Sequence, residues 1–473
     1  MTKRNGQHAF PITEAALRWL EIILTKRFDH TWHLSRVDTV LCLHLVGSEG
    51  SIFFDTLCEG FTQPHSEQPC TYWDAELDGW LSVLGESLPA PGVPELLSPL
   101  IEKLGSGHVI HYDILGLVYW MLARVEEIGR TDLDEHGRFP ASSSHALKHD
   151  YLDRPVVDEW LHVLGQVILL QWPGLELMQH RFEMCVSHDV DQLSLYAFKP
   201  WLTIARMMSG HLIKRRDLKA FLTAPYVKIA TRKELMASDP YNTFDWLMDV
   251  SEANGLRSAF YFICGRTQPS KDADYELEHP VMRHLLKLIH SRGHEIGLHP
   301  SYDTSKDPYA LKQEADRLRR VCFEEEIEQE EWGGRMHYLR WKQPKTLRAW
   351  ADAGMSYDST LGYADHAGFR CGTCHEYPAY DAERQEQLVL KLRPLIAMEC
   401  SVMDTAYMGL GFGQEAKEEF QKLKERCQRV DGCFSLLWHN SSFETKGANS
   451  LYKQIIARKF NDEKQTKTSN LLY

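Results

Sequence analysis

Two short segments, far apart in the chain, carry the residue spacings best suited to chemistry. Residues 187–191, SHDVD, place Asp189 and Asp191 two positions apart. In an extended strand both carboxylates then face the same side. Carboxylates held so close repel unless a proton or a cation separates them. One could bind a metal while the other takes a proton from water. A helix N-cap or an Asx turn is the other common use of Asp where a strand ends. Residues 293–303, GHEIGLHPSYD, set His299 and Asp303 four apart, a spacing that can turn two ligating atoms toward one ion. His294 does not open an H-E-x-x-H zinc motif, because the next histidine is five residues on and an Ile-Gly-Leu run intervenes.

Two further segments carry imidazole. In CFSLLWH, residues 433–439, His439 follows an apolar strand-like run and can act as a general acid near neutral pH. A capped turn with a hydrogen-bonded histidine fits equally. In RMHYLRW, residues 335–341, alternation predicts a strand with Arg335, His337 and Leu339 on one face. It is either an inward-facing strand or a surface edge. Cys371 and Cys374 form one close pair, but no second pair completes a zinc site, so reduced thiols are expected.

The elements that must position these residues follow from periodicity. From Arg181 onward, apolar runs at 184–187, 258–264, 295–298, 388–392, 396–400 and 433–438 alternate with helical patterns at 243–254, 279–292, 308–322, 344–353 and 414–426. Such alternation predicts a parallel sheet, open or closed into a barrel, with functional groups beyond the C-terminal strand ends. Asp189, Asp191, His299 and His439 all fall at such ends. Residues 1–175 read as a separate α+β unit: a strand at 39–46, helices at 113–128 and 156–170, and a polar loop at 131–149 between them. A boundary is expected at 171–174, QWPG. The segment 446–473 reads as a polar tail, frayed at its end.

A chain of 473 residues exceeds one ordinary core. The net charge of −13 is uneven: residues 1–175 carry 24 Asp/Glu against 12 Lys/Arg, with no Lys or Arg between Arg36 and Lys103. That surface repels phosphate backbones and argues against nucleic acid as a partner. No apolar run reaches transmembrane length, and the basic start, MTKRNGQH, has no apolar core behind it. A cytoplasmic protein is the expectation. Residues 198–235 carry nine Lys/Arg and two Asp/Glu among apolar residues. They read as a basic helical insertion, spanning about 196–240, that is either solvated or in peripheral contact with an anionic membrane at its inner face.

Taken together, the clusters resemble the polysaccharide deacetylases, carbohydrate esterase family 4. Asp189 and Asp191 are similar to that family's first motif in its Asp-x-Asp variant. Residues 293–299 fit its second motif, G-H-E-I-G-x-H. Arg335 to Tyr338 approximates its Arg-x-Pro-aromatic motif, residues 357–360, YDST, resemble a further segment, and 436–439, LLWH, its last. The resemblance spans roughly 180–445. It implies a distorted seven-stranded (β/α) barrel, here residues 176–445, that removes N-acetyl or related N-acyl groups from amino sugars with a divalent metal, zinc being expected. It further implies Asp191 and His299 as metal ligands, with either Asp303 or His337 as the third. The local spacing favours Asp303. Asp189 would be the catalytic base oriented by Arg335, and His439 the catalytic acid, with Asp404 as its orienting group. The substrate would be an N-acylated carbohydrate of surface-polysaccharide metabolism. A non-catalytic glycan-binding homologue, or another amide hydrolase on the same barrel, are the rival readings. The first 175 residues resemble an uncharacterised domain that precedes this barrel in some surface-polysaccharide gene products.

Overall fold

A computed structural model describes residues 12–443 and 445–457. The chain is mixed α/β. Its larger sheet has nine strands, in the spatial order Tyr377–Asp381, Glu386–Leu392, Tyr357–Asp358, Gly333–Gly334, Glu295–His299, Ser258–Ile263, Glu183–Val190, Cys433–Leu437 and Ala397–Met398. Every pairing is parallel except the hairpin of the first two. The crossover helices include Phe244–Ala253, Pro280–Ser291, Pro308–Glu324, Lys345–Asp352 and Gln414–Arg429, where the apolar periodicity expects them. Ser258–Ile263 is buried along its whole length, as a strand covered on both faces must be.

The sheet curls, but its ladder does not close. Leu392 pairs with Asp358 near one edge, and Ala397 pairs with Leu436 at the other. Those five residues of chain reach about 17 Å fully extended. The seven strand spacings between them would cover roughly 34 Å if laid flat. The sheet must therefore bend strongly, with residues 393–396 crossing the gap without ladder pairing. The expected distorted (β/α)7 barrel is thus an open, curled sheet in this structure.

Residues of the N-terminal portion build a five-stranded sheet in the order Trp32–Val37, Val40–Leu45, Ile52–Phe54, Gly107–Ile110 and Ile101–Leu104. Helices Glu14–Phe28, Ile114–Leu122 and Val156–Gln171 accompany it. This portion, expected as a separate unit, has a sheet of its own and packs on the larger sheet through one continuous apolar core. Trp19 stacks on Tyr380 with ring centroids 4.9 Å apart. A buried ion network crosses the seam: Glu127 accepts from Arg370 at 2.6 and 2.9 Å and from Arg124 at 2.8 Å. Burying so many ions tolerates little rearrangement, because losing one leaves another unpaired in a low-dielectric site.

One more expectation is corrected. The first eleven residues of the predicted tail, Lys446–Ile456, form a helix that buries Leu451, Tyr452, Ile455 and Ile456. Apolar residues at helical spacing there outweigh the polar average of the segment. The remaining tail lies outside the described residues. The basic insertion does form two helices, Trp201–Ile213 and Leu218–Ala230, around a small core of Tyr196, Ala197, Ile204, Ala224 and Val227.

Candidate metal centre

Asp189 is the next-to-last residue of strand Glu183–Val190, and Asp191 follows its end. His299 closes strand Glu295–His299. Arg335 and His337 follow the two-residue strand Gly333–Gly334. That strand needs glycine: a Cβ on Gly334 would sit 1.8 Å from the Leu298 carbonyl oxygen, and one on Gly333 would strike the Tyr357 ring. The close approach lets the Arg335 N–H donate to Leu298 at 3.0 Å, which brings Arg335 and His337 beside His299. Residues 335–340 are not the predicted strand. They form a tight turn at His337–Leu339, in which Tyr338 and Leu339 both adopt left-handed backbone, φ 61° and 53°. Strain of this kind, about 1–3 kcal/mol per residue, is typical of sites that must aim a side chain. Here it follows His337 directly.

Asp191, His299 and His337 offer ligand atoms that all lie within 4.8 Å of one another. Oδ1 of Asp191 is 3.3 Å from His299 Nε2 and 3.6 Å from His337 Nε2. That oxygen is buried and makes no hydrogen bond. The far nitrogen of each ring is fixed. His299 Nδ1 lies 2.7 Å from the Arg335 carbonyl oxygen, which can only accept, so Nδ1 is the protonated nitrogen. His337 Nδ1 lies 3.3 Å from Asp272 Oδ1, a carboxylate that orients the ring in the same way. Both Nε2 atoms are therefore directed at one space beside an unsatisfied carboxylate oxygen.

The electrostatics of that space favour a positive charge. Burial tends to raise the Asp191 carboxyl, but His337 and His299 outweigh it and hold the group well below the carboxylate range. Burial tends to lower His337, but Asp191 and Asp272 push it up to about 9. A proton or a metal cation answers the same field. Two imidazoles and one carboxylate, with their outer nitrogens hydrogen-bonded, fit a divalent metal with nitrogen and oxygen preference.

Around this group stand the remaining expected residues. Arg335 is fully buried and donates from Nη1 to Asp189 Oδ1 at 2.8 Å. Its Nε and Nη2 donate to the Ser359 carbonyl and hydroxyl oxygens at 2.9 and 3.0 Å. The other Asp189 oxygen lies 3.7 Å from His299 Nε2. His439 brings Nε2 to 3.7 Å from Asp191 Oδ2. Its Nδ1 is 2.6 Å from Glu399 Oε1, which also accepts from the His439 backbone N–H and from Ser442. Burial would lower His439, and Glu399 with Cys400 drives it well above its ordinary value.

Two expected roles move. Asp303, the favoured third ligand, does not join the cluster. It is about one-third exposed and pairs with Lys306 at 3.2 Å and Arg340 at 3.7 Å, and His337 is the residue that lies beside Asp191 and His299. The reason is that Tyr302–Ser305 forms a 3-10 turn, which carries Asp303 to the rim. Asp404 caps its own turn by accepting from the Ala406 N–H, and Glu399 is the group on His439. Asp272 and Glu399 carried no motif that sequence could flag. Glu399 directly follows the strand Ala397–Met398, the same placement that marks Asp191, and His439 stands two residues past its own strand. The rim also receives the N-terminal portion: His136 Nδ1 is 2.9 Å from the Tyr302 hydroxyl, and Arg138 donates to the Tyr338 carbonyl at 3.0 Å. A cavity of about 640 Å³ opens at the opposite end of the strands, lined by Cys185, Glu295, Tyr357 and Arg393. The cluster is marked by its chemistry rather than by cavity size.

Residues 62–173 match the model of a family of unknown function (DUF7033). No curated protein matches the chain. A solved structure assigned to the polysaccharide deacetylases, from Mycobacterium smegmatis, aligns over 60% of this chain and 85% of its own, at 16% identity and a TM-score of 0.37. The Puue allantoinase aligns over the same shares, 60% and 85%, at 13% identity and a TM-score of 0.35.

Proposed function

We propose that the chain is a metal-dependent hydrolase of carbon–nitrogen bonds that removes an N-acetyl or other N-acyl group from an amino sugar. The substrate class, a poly- or oligosaccharide or its precursor in surface-polysaccharide metabolism, is supported by the motif resemblance at 187–191, 293–299 and 436–439. The observation that carries the chemistry is the buried, unbonded Oδ1 of Asp191 between two imidazole nitrogens. Asp191, His299 and His337 would hold the ion, and zinc suits their donor set. A bound divalent ion supplies Lewis acidity, which lowers the pKa of water and polarises an acyl carbonyl.

The chain's own residues supply the proton transfers. Asp189 accepts a proton from the attacking water, and Arg335 fixes the carboxylate's orientation through Nη1. His439, charged because Glu399 faces its Nδ1, presents Nε2–H to the departing nitrogen. Without that proton an amide nitrogen is a poor leaving group. Water adds across the C–N bond, giving a carboxylate and a free amine. Metal quantification on the purified protein, followed by acetate release from a panel of N-acetylated nucleotide sugars and oligosaccharides, tests the reading. If Asp189→Asn and His299→Ala release acetate as fast as the parent, the assignment is wrong.

A further inference from the structure

The helical hairpin after strand Glu183–Val190 turns apolar side chains outward. On Trp201–Ile213 the hairpin's interior takes Ile204 and His211. Trp201, Leu202, Leu212 and Ile213 point away from it, 56, 76, 47 and 76% exposed. On Leu218–Ala230 the interior takes Ala224 and Val227, while Leu218, Leu222, Tyr226 and Ile229 are each more than half exposed. Their spacings of four, four and three place them in one stripe along the helix. A surface helix ordinarily does the reverse, with its apolar stripe inward and its polar face in water. The inner faces already bury a core of their own. The outer stripes are thus surplus to folding the hairpin, and apolar surface of that kind marks an interaction site.

Its charge identifies the partner's chemistry. Between Trp201 and Lys233 stand Arg206, Lys214, Arg215, Arg216, Lys219, Lys228, Arg232 and Lys233, against Asp217 as the one acid. The whole chain carries a net charge of −13. The turn between the helices, residues 214–217, is exposed throughout and bounded by Ile213 and Leu218. We propose that this hairpin docks the protein on an anionic lipid bilayer. The outward apolar side chains of both helices enter the headgroup–acyl boundary, and the exposed basic residues lie among anionic headgroups, Lys228 alone turning inward to the Ala197 carbonyl at 2.7 Å. Basic helices with one apolar face lie in that boundary, and Trp201 and Tyr226 are the side chains enriched there. No helix among the described residues is long and apolar enough to cross a membrane. A second copy of the chain would place two strongly basic hairpins face to face, at the cost of like-charge repulsion. The docking does not depend on what the metal centre hydrolyses.

Co-sedimentation of the full chain with vesicles tests it, using phosphatidylcholine alone and phosphatidylcholine mixed with phosphatidylglycerol. Binding is expected to the mixed vesicles and not to the neutral ones, and to weaken as salt is raised. The triple variant Lys214→Gln, Arg215→Gln, Arg216→Gln should lower the partition on the order of a hundredfold, at about tenfold or less per basic residue. The pair Leu218→Ser and Leu222→Ser should also lower it, with circular dichroism and metal content unchanged. No binding to the mixed vesicles at low salt overturns the proposal. So does binding that survives both sets of changes. A salt-stable dimer that Leu222→Ser dissolves, without vesicle binding, assigns the face to a second copy and likewise overturns it.

Discussion

Three groups among the described residues combine a carboxylate with imidazole closely enough to hold an ion, the third being Glu399, Cys400 and His439, and the other two have opposite fates. Asp158, Cys374 and His375 lie close enough together to hold an ion, as do Asp191, His299 and His337. In the first cluster a guanidinium already supplies the positive charge. Arg27 Nη1 lies 2.5 Å from His375 Nε2 and 3.7 Å from Asp158 Oδ1. Thr373 donates to Asp158 Oδ1 at 2.9 Å, and the Cys374 N–H donates to Oδ2 at 3.1 Å. In the second cluster the guanidinium, Arg335, is committed to Asp189, and Asp191 Oδ1 makes no hydrogen bond. A carboxylate, an imidazole and proximity are thus common to these two clusters, whereas an unmet carboxylate oxygen is found at the second and not at the first. Burial without a partner is costly, by about 1–3 kcal/mol for a neutral group and more for a charged one. The second arrangement therefore favours a cation or a proton beside Asp191.

The sharpest break of this comparison is metal content. Asp191→Asn or His299→Ala should reduce bound metal from near one equivalent to near none by elemental analysis, while His375→Ala leaves it unchanged. Equal loss from both clusters would erase the distinction. Next in size is the catalytic base: Asp189→Asn should retain metal yet lose about 10²–10⁴ in the rate of acyl release. A variant that keeps its rate removes Asp189 from the chemistry.

Asp272→Asn should weaken metal affinity by about 10–100-fold in competition with a chelator, because His337 loses the group that orients it. At the other cluster, Arg27→Met strands a buried carboxylate. It should cost about 3 kcal/mol in urea unfolding, with no change in metal affinity.

The two clusters also predict opposite pH behaviour for one histidine each. Burial is the main cause that lowers His375 to about 4 from 6.5. A histidine depressed in the folded state adds stability that is complete above 6.5 and is lost as pH falls toward 4. His337, in metal-stripped protein, is raised to about 9. Its contribution is complete below 6.5 and is lost as pH rises through 9. Urea midpoints across pH for the parent, His375→Phe and His337→Phe check both signs. A shared direction would break the contrast.

Much of the site was legible because strand ends are legible. Asp189, Asp191, His299 and His439 each follow or close an apolar run, and a parallel sheet gathers such positions at one end. His337 was visible as one of two third-ligand options. Choosing between it and Asp303 needed the turn at Tyr302–Ser305, since sequence spacing says how near two residues are along the chain and not where a turn points them. Asp272 and Glu399 were illegible for a similar reason: carboxylates are common, and only three-dimensional contact with His337 and His439 gives these two a role. The N-terminal portion was read as separate because its charge and pattern differ. Trp19, Glu127 and Asp158 show how far its core and ion pairs run into the larger sheet.

By itself the sequence determined the alternation of strands and helices, the residues offered at the strand ends, and the basic, apolar character of the insertion. Those are properties of local periodicity and composition, which a chain carries wherever it folds. The tertiary structure decided which imidazole lies beside Asp191 and His299, which carboxylates face His337 and His439, and which cluster already has a guanidinium beside it. Those depend on atoms brought within a few ångströms from distant parts of the chain. The close approach at Gly334 and the left-handed turn after His337 are the local features that make the approach fit.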